Sequence, residues 1–178
     1  MISIQLTKLA QQNQWQVLPQ ENIVYGSYNG YRFSAMDGIG FKAIFTPIAG
    51  ISPDGLKALL DWLDGNKKQL KLRNYELSDN FLCVRLQESF RPRTADQLEW
   101  MLAQLSGMLD QFEMPKEACV ICGQTAEKQG LLSGLFCALH PECQDTEGVD
   151  FTTIDDITTS DESTTADVTT ANEDTTND

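Results

Sequence analysis

Five residues toward the carboxyl end of the chain can do chemistry together. Cys119-Val-Ile-Cys122-Gly123 is followed by Cys137-Ala-Leu-His140-Pro-Glu-Cys143. Four of the five cysteines and the one histidine therefore fall between residues 119 and 143. Thiolate and imidazole are ligands of Zn²⁺, and a structural zinc closes its shell with four of them. Two cysteines separated by two residues hold one ion from a tight turn, and Gly123 supplies the freedom that turn needs. The second pair has two versions. One is Cys-x2-Cys-x14-Cys-x2-His, through Cys137 and His140; the other is Cys-x2-Cys-x17-His-x2-Cys, through His140 and Cys143. Both are zinc-type spacings.

Pro141 bears on the choice. Proline suits the first position of a helix and pushes the residue before it out of the α region. His140 then sits just ahead of a short helix, with Cys143 in its first turn. The expected ligand set is Cys119, Cys122, His140 and Cys143. Cys137 competes for the last place, since Gly134-Leu-Phe-Cys137 delivers it equally well from the end of a hairpin strand. Two disulfides are the rival use of four cysteines. Against them stands an amino terminus, Met1-Ile-Ser-Ile-Gln-Leu-Thr-Lys, with no secretory-signal pattern. Cys83 lies in the apolar run Phe81-Leu-Cys-Val and reads as core.

A knuckle, a hairpin and a ligand pair at a helix start resemble a treble-clef or LIM-like zinc finger, over about residues 117 to 146. The resemblance implies a structural zinc with four protein ligands and no open position. It implies no particular partner.

The elements that must position this cluster come before it. Apolar residues Ile2, Leu6, Leu9 and Ala10 recur at helical spacing, so residues 2 to about 13 form an amphipathic helix. Trp15 to Leu18 return as a short strand. Residues 22 to 47 read as three strands. Asn29-Gly30 between two tyrosines makes the first hairpin turn, because both positions accept positive φ. Asp37-Gly38 is expected to make the second. Ser52-Pro53-Asp54 opens a helix with a cap, a proline in the first turn and an acid at the positive dipole end. Leu56, Leu59, Leu60 and Leu63 are its buried stripe, widened by Trp62. Lys67, Lys68 and Lys71 follow, as cations near a helix carboxyl end or as a small basic patch for a partner. Leu70 to Leu77 and Asn80 to Glu88 form a second hairpin, whose return strand is the most apolar and is expected to be central. Thr94 and Gln97 form a capping box that starts the longest helix, which ends before Pro115.

The order helix, strands, helix, strand pair, helix gives an α+β fold: an antiparallel sheet with helices on one side. Residues 1–114 form this domain, 115–148 the metal module, and 149–178 an acidic tail. The order over residues 1 to 114 resembles the type III secretion chaperones and the bacterial YbjN family. That resemblance implies a small, often dimeric, noncatalytic binding domain for another polypeptide.

Net charge is −13 from 13 basic and 26 acidic residues. Residues 149–178 hold nine of the acids and no base, which leaves 13 − 17 = −4 on the rest. The tail repeats threonine pairs followed by acids, and such a composition cannot bury enough apolar surface to order itself. It is expected to be disordered, as a solubilising segment or as a docking and phosphorylation segment. Neither part supplies the basic field that nucleic-acid binding requires. No stretch approaches the ~18 apolar residues of a membrane span.

Three function classes follow. The first is a cytoplasmic bacterial interaction protein with a structural zinc, binding another polypeptide and forming a homodimer. The second is a nucleic-acid-associated finger protein. It is disfavoured because Glu117, Glu127, Glu142, Asp145 and Glu147 outnumber Lys116 and Lys128 around the cluster. The third is a zinc-dependent enzyme. It is disfavoured because His140 is claimed by the metal, which leaves no Ser-His or Cys-His pair, and no phosphate-loop spacing occurs. No catalytic residue is assigned.

Overall fold

The computed structural model describes residues 1–88, 90–144 and 150–154. The chain order is α1 (Ile4–Asn13), β1 (Gln16–Leu18), β2 (Ile23–Tyr28), β3 (Tyr31–Gly38), β4 (Phe41–Pro47), α2 (Pro53–Asn66), β5 (Leu72–Ser78), β6 (Phe81–Gln87) and α3 (Ala95–Gln111). Then come β7 (Gln129–Leu132), β8 (Leu135–Ala138), the single-turn α4 (Pro141–Gln144) and β9 (Phe151–Thr153). The first six strands form one antiparallel sheet in the order β1-β2-β3-β4-β6-β5. The fold is thus mixed α/β around a six-stranded antiparallel sheet.

Local chemistry sets most boundaries. Ser3 caps α1 and Ser52 caps α2, each by accepting a backbone N–H, and Pro53 takes the first position of α2. At α3 both halves of the Thr94–Gln97 capping box are formed. Asn29 and Gly30 turn the β2–β3 hairpin with φ of 50° and 82°, as a mirror-image turn requires. β6 lies between β4 and β5, one place in from the sheet edge, rather than at its centre.

The second hairpin turn falls two residues later than Asp37-Gly38. β3 continues through Gly38, and Gly40 has φ 74°. The reason is electrostatic. The Asp37 carboxylate accepts the Ser3 N–H and pairs with Lys42, its cross-strand neighbour. Lys42 also meets Glu88 at 3.0 Å and is only 2% exposed. Asp37 thus ties the start of α1 to the sheet and is unavailable for a turn.

One core unites the three long helices with one face of the sheet. Leu6, Leu9, Leu59, Leu63, Met101, Leu102 and Leu105 pack there against Val24, Phe33, Ile44, Leu82, Val84 and Leu86. The opposite face receives the residues after α3. β7, β8 and β9 make a second, three-stranded sheet in the order β8-β7-β9, and β8 lies against β3 and β4. Phe136 of β8 is 4% exposed and its N–H donates to the Ser34 hydroxyl at 2.8 Å. Its ring lies 5.3 Å from that of Tyr25, with the Arg32 guanidinium 5.9 Å from its centroid.

Part of the segment expected to be a disordered tail from residue 149 onward is a strand. Phe151–Thr153 pair with β7, because Phe151 finds a partly buried seat in the module's apolar cluster. The remainder of the expected disordered tail, residues 155–178, lies outside the described residues, as do 145–149.

Burial pushes the Asp37 carboxyl up, but Lys42 and the Ser3 N–H outweigh it and hold it below its ordinary value. A carboxyl with a depressed folded pKa adds stability that is present above its unfolded pKa and lost as pH falls through the folded one. Lys42→Met should therefore cost about 3 kcal/mol at pH 7, the scale for stripping a buried ion pair of one partner. The gap from the parent should close as the medium is acidified below the ordinary carboxylate range. Urea midpoints measured across pH check this, and equal midpoints at pH 7 would refute it.

Candidate metal centre

The Cys119–Cys122 turn forms from its own backbone. The Gly123 N–H donates to the Cys119 carbonyl at 2.9 Å, and the Cys119 N–H donates to the Gln124 carbonyl at 2.7 Å. Gly123 has φ 75°, which only glycine adopts without strain. The Ile121 N–H points back to Cys119 Sγ at 3.4 Å. This is a knuckle, a turn whose amides face a sulfur.

Long-range contacts hold the knuckle in place. Cys119 bridges to Ala138 at the end of β8, and the Val120 N–H donates to the Ala138 carbonyl. The chain then passes through Leu139 and His140 into α4, where the Cys143 N–H closes the turn on the His140 carbonyl at 2.9 Å. Pro141 at the helix start thus brings Cys143 back over the knuckle. The Sγ atoms of Cys119, Cys122 and Cys143 all lie within 4.8 Å of one another. Tetrahedral sulfurs about 2.3 Å from a zinc would sit ~3.8 Å apart. The donor set and spacing fit a bound metal ion, and none of the five cysteines is in a disulfide.

The other two expected ligands are placed differently. Cys137 is fully buried in β8, opposite Gly130, within the module's apolar cluster. Burial pushes its thiol up to about 12, and it stays outside the ligand group. It packs in the same apolar cluster as Cys119 and Val120, yet its sulfur is not one of the three that converge. His140 is half-buried and its backbone N–H serves Cys119 Sγ. Its ring nitrogens are not among the atoms that lie within 4.8 Å of one another. The group brought together is three thiols.

Their electrostatics are unequal. Burial pushes the Cys119 thiol up, but the N–H groups of Cys122, His140 and Ile121 and the Cys122 side chain bring it below its ordinary value. Cys143 is pushed up to about 12, by desolvation and then by its hydrogen bonds to the Cys122 and Cys119 sulfurs. The amides thus favour the thiolate form at Cys119, and its surroundings disfavour it at Cys143. A divalent metal requires all of them as thiolates, so its uptake releases protons.

The knuckle also grips the first sheet, through residues that carry no motif. The Asn80 side chain, in the β5–β6 turn, donates to the Val120 carbonyl at 2.7 Å. The Arg32 guanidinium donates to the Lys116 carbonyl. Gly50 and Gly123 touch backbone to backbone, so a Cβ on Gly123 would stand 3.2 Å from Gly50 Cα. Phe81 of β6 completes the apolar cluster around Cys119, Val120 and Leu139. Only the positive φ of Asn80, 62°, leaves a trace of this in the sequence, as an Asp-Asn turn.

No family model matches the chain, and no curated protein or solved structure matches it. Among the described residues no helix is long and apolar enough to cross a membrane.

Elemental analysis of the purified chain should find a stoichiometric metal that Cys119→Ser removes and Cys137→Ser retains. Chelation should speed amide exchange across residues 119 to 138, including the Phe136 amide, while α3 stays protected. Unchanged exchange after complete metal removal would show that the cluster holds nothing in place.

Proposed function

We propose that the chain is a noncatalytic polypeptide-binding protein whose carboxyl-terminal module is fixed by a structural zinc. Cys119, Cys122 and Cys143 supply three ligands, and a rotation of the His140 side chain supplies the fourth. Zinc is favoured over other metals by a thiolate-rich, closed set. Its role is to fasten the knuckle to the α4 turn, which keeps β7–β9 seated on the sheet.

The observation that carries the binding reading is a groove of about 440 Å³ between β4–β6 and the module. Phe45, Phe81, Ile121, Leu132 and Leu135 line its apolar part, with exposed Glu76 and Asp79 beside them. The groove runs next to β5, which among the described residues pairs only with β6 and ends the sheet. An unpaired edge beside an apolar slot suits an extended segment that adds a strand and inserts a side chain. The acids favour a segment with lysine or arginine flanking its apolar anchor. The groove's one thiol, Cys83, is pushed up to about 11 by burial, so it stays protonated at neutral pH. The same element order underlies the likeness to type III secretion chaperones and the YbjN family, and a homodimer belongs to this proposal.

Panning a random displayed-peptide library on the full, metal-loaded protein tests it. The selected peptides should be extended, with an apolar anchor and basic flanks. Ile121→Asp should weaken their binding at least tenfold without shifting the melting temperature, since Ile121 is 42% exposed. Peptides that bind the variant unchanged, or no enrichment at all, would overturn the assignment.

A further inference from the structure

A second groove lies on the other side of the molecule, where the end of α2 meets the start of α3. Lys67, Lys68 and Lys71 follow α2, and the fold brings Arg91 and Arg93 beside them. Two contiguous clefts of about 580 and 690 Å³ share Lys71 and Gln87. Their lining contains five of the chain's 13 lysines and arginines and not one carboxylate, in a chain with 26 acids. Arg93 is anchored by donating to the Leu70 and Lys71 carbonyls. Lys67, Lys68, Lys71 and Arg91 are exposed, and none of them forms an ion pair among the described residues. Exposed Trp100 adds a flat apolar wall.

We propose that this groove is the docking site for the chain's own acidic carboxyl-terminal segment, residues 155–178. Those 24 residues carry eight acids and no base. The charge match is direct: the lining is basic and holds no carboxylate, Glu88 beside it being paired with Lys42, and the segment is its opposite. The last described residue, Ile154, packs with Tyr25, Leu131 and Phe136. From β2 to β5 is four strand steps, or about 19 Å. A chain of 24 residues spans up to ~80 Å when extended and about 27 Å as a coil, so the groove is within reach. Tethering supplies an effective concentration in the millimolar range, enough for a contact built from several screened ion pairs. At physiological salt the Debye length is about 8 Å, so the contact is salt-sensitive. Docked, the segment occupies the groove against any other polyanion. Phosphorylation of its threonine pairs would add negative charge and tighten the hold.

Zero-length carbodiimide cross-linking of the full chain, read by mass spectrometry, tests this directly. Lys67, Lys68 and Lys71 should link to Asp or Glu of residues 155–178 at least five times more often than Lys8, Lys57 and Lys128. The preference should vanish in 0.5 M salt and in the Arg91→Glu variant. A mixture of ¹⁴N and ¹⁵N protein separates links within one chain from links between copies. Even distribution over all lysines, absence of links, or links only between copies would each overturn the proposal. The test leaves the metal centre and the apolar groove untouched, so its result is independent of the function proposed for them.

Discussion

A six-stranded sheet with helices on one face leaves a second face to be covered, and the described residues after α3 serve that need. Tyr25, Ser34, Phe45 and Cys83 follow one another across adjacent strands in register on that face. Half of the row is sealed by Phe136 and the β7–β9 sheet; the other half floors the apolar groove. The cover is small. Three strands of three or four residues cannot hold themselves in place by burial alone. They join the rest of the fold at Cys119, where a backbone bridge to β8, an Asn80 side chain from the first sheet and three converging sulfurs meet.

That junction links covalent spacing to tertiary packing. The knuckle is local, and its amides would face the Cys119 sulfur in any protein with this turn. Its location is not local, since Gly50 against Gly123 and Phe81 against Val120 tie it to loops and strands far away in sequence. A metal at the three thiols would therefore act on the sheet's second face as well as on its own module. The same coupling shapes the apolar groove, because Ile121, one of its walls, is a knuckle residue.

Charge is arranged with equal economy of position. Nine of the chain's 26 acids lie in residues 149–178 and two, Glu76 and Asp79, line the apolar groove, whereas five of its cations line one groove beyond α2. A buried cation, Lys42, joins two carboxylates and anchors the amino-terminal helix. The two grooves thus have opposite character, apolar with acids on one side and basic with an aromatic wall on the other.

Residues that act on near neighbours were legible in the chain itself. Ser3, Ser52 and the Thr94–Gln97 box start helices, Asn29-Gly30 turns a hairpin, and Pro141 returns Cys143 to the knuckle, each through contacts spanning a few residues. Apolar periodicity gave the helix stripes and the strands for the same reason. Asp37 misled because its partners, Ser3 and Lys42, became visible only once strands were paired. Cys137 and His140 have zinc-type spacing, yet the sulfur of one and the ring nitrogens of the other lie outside the group the three remaining thiols form. The extra strand at Phe151–Thr153, the covering of the second sheet face and the meeting of Arg91 with Lys71 were decided by the tertiary structure alone. Each depends on which surfaces the folded sheet leaves open, and no short window of residues encodes that.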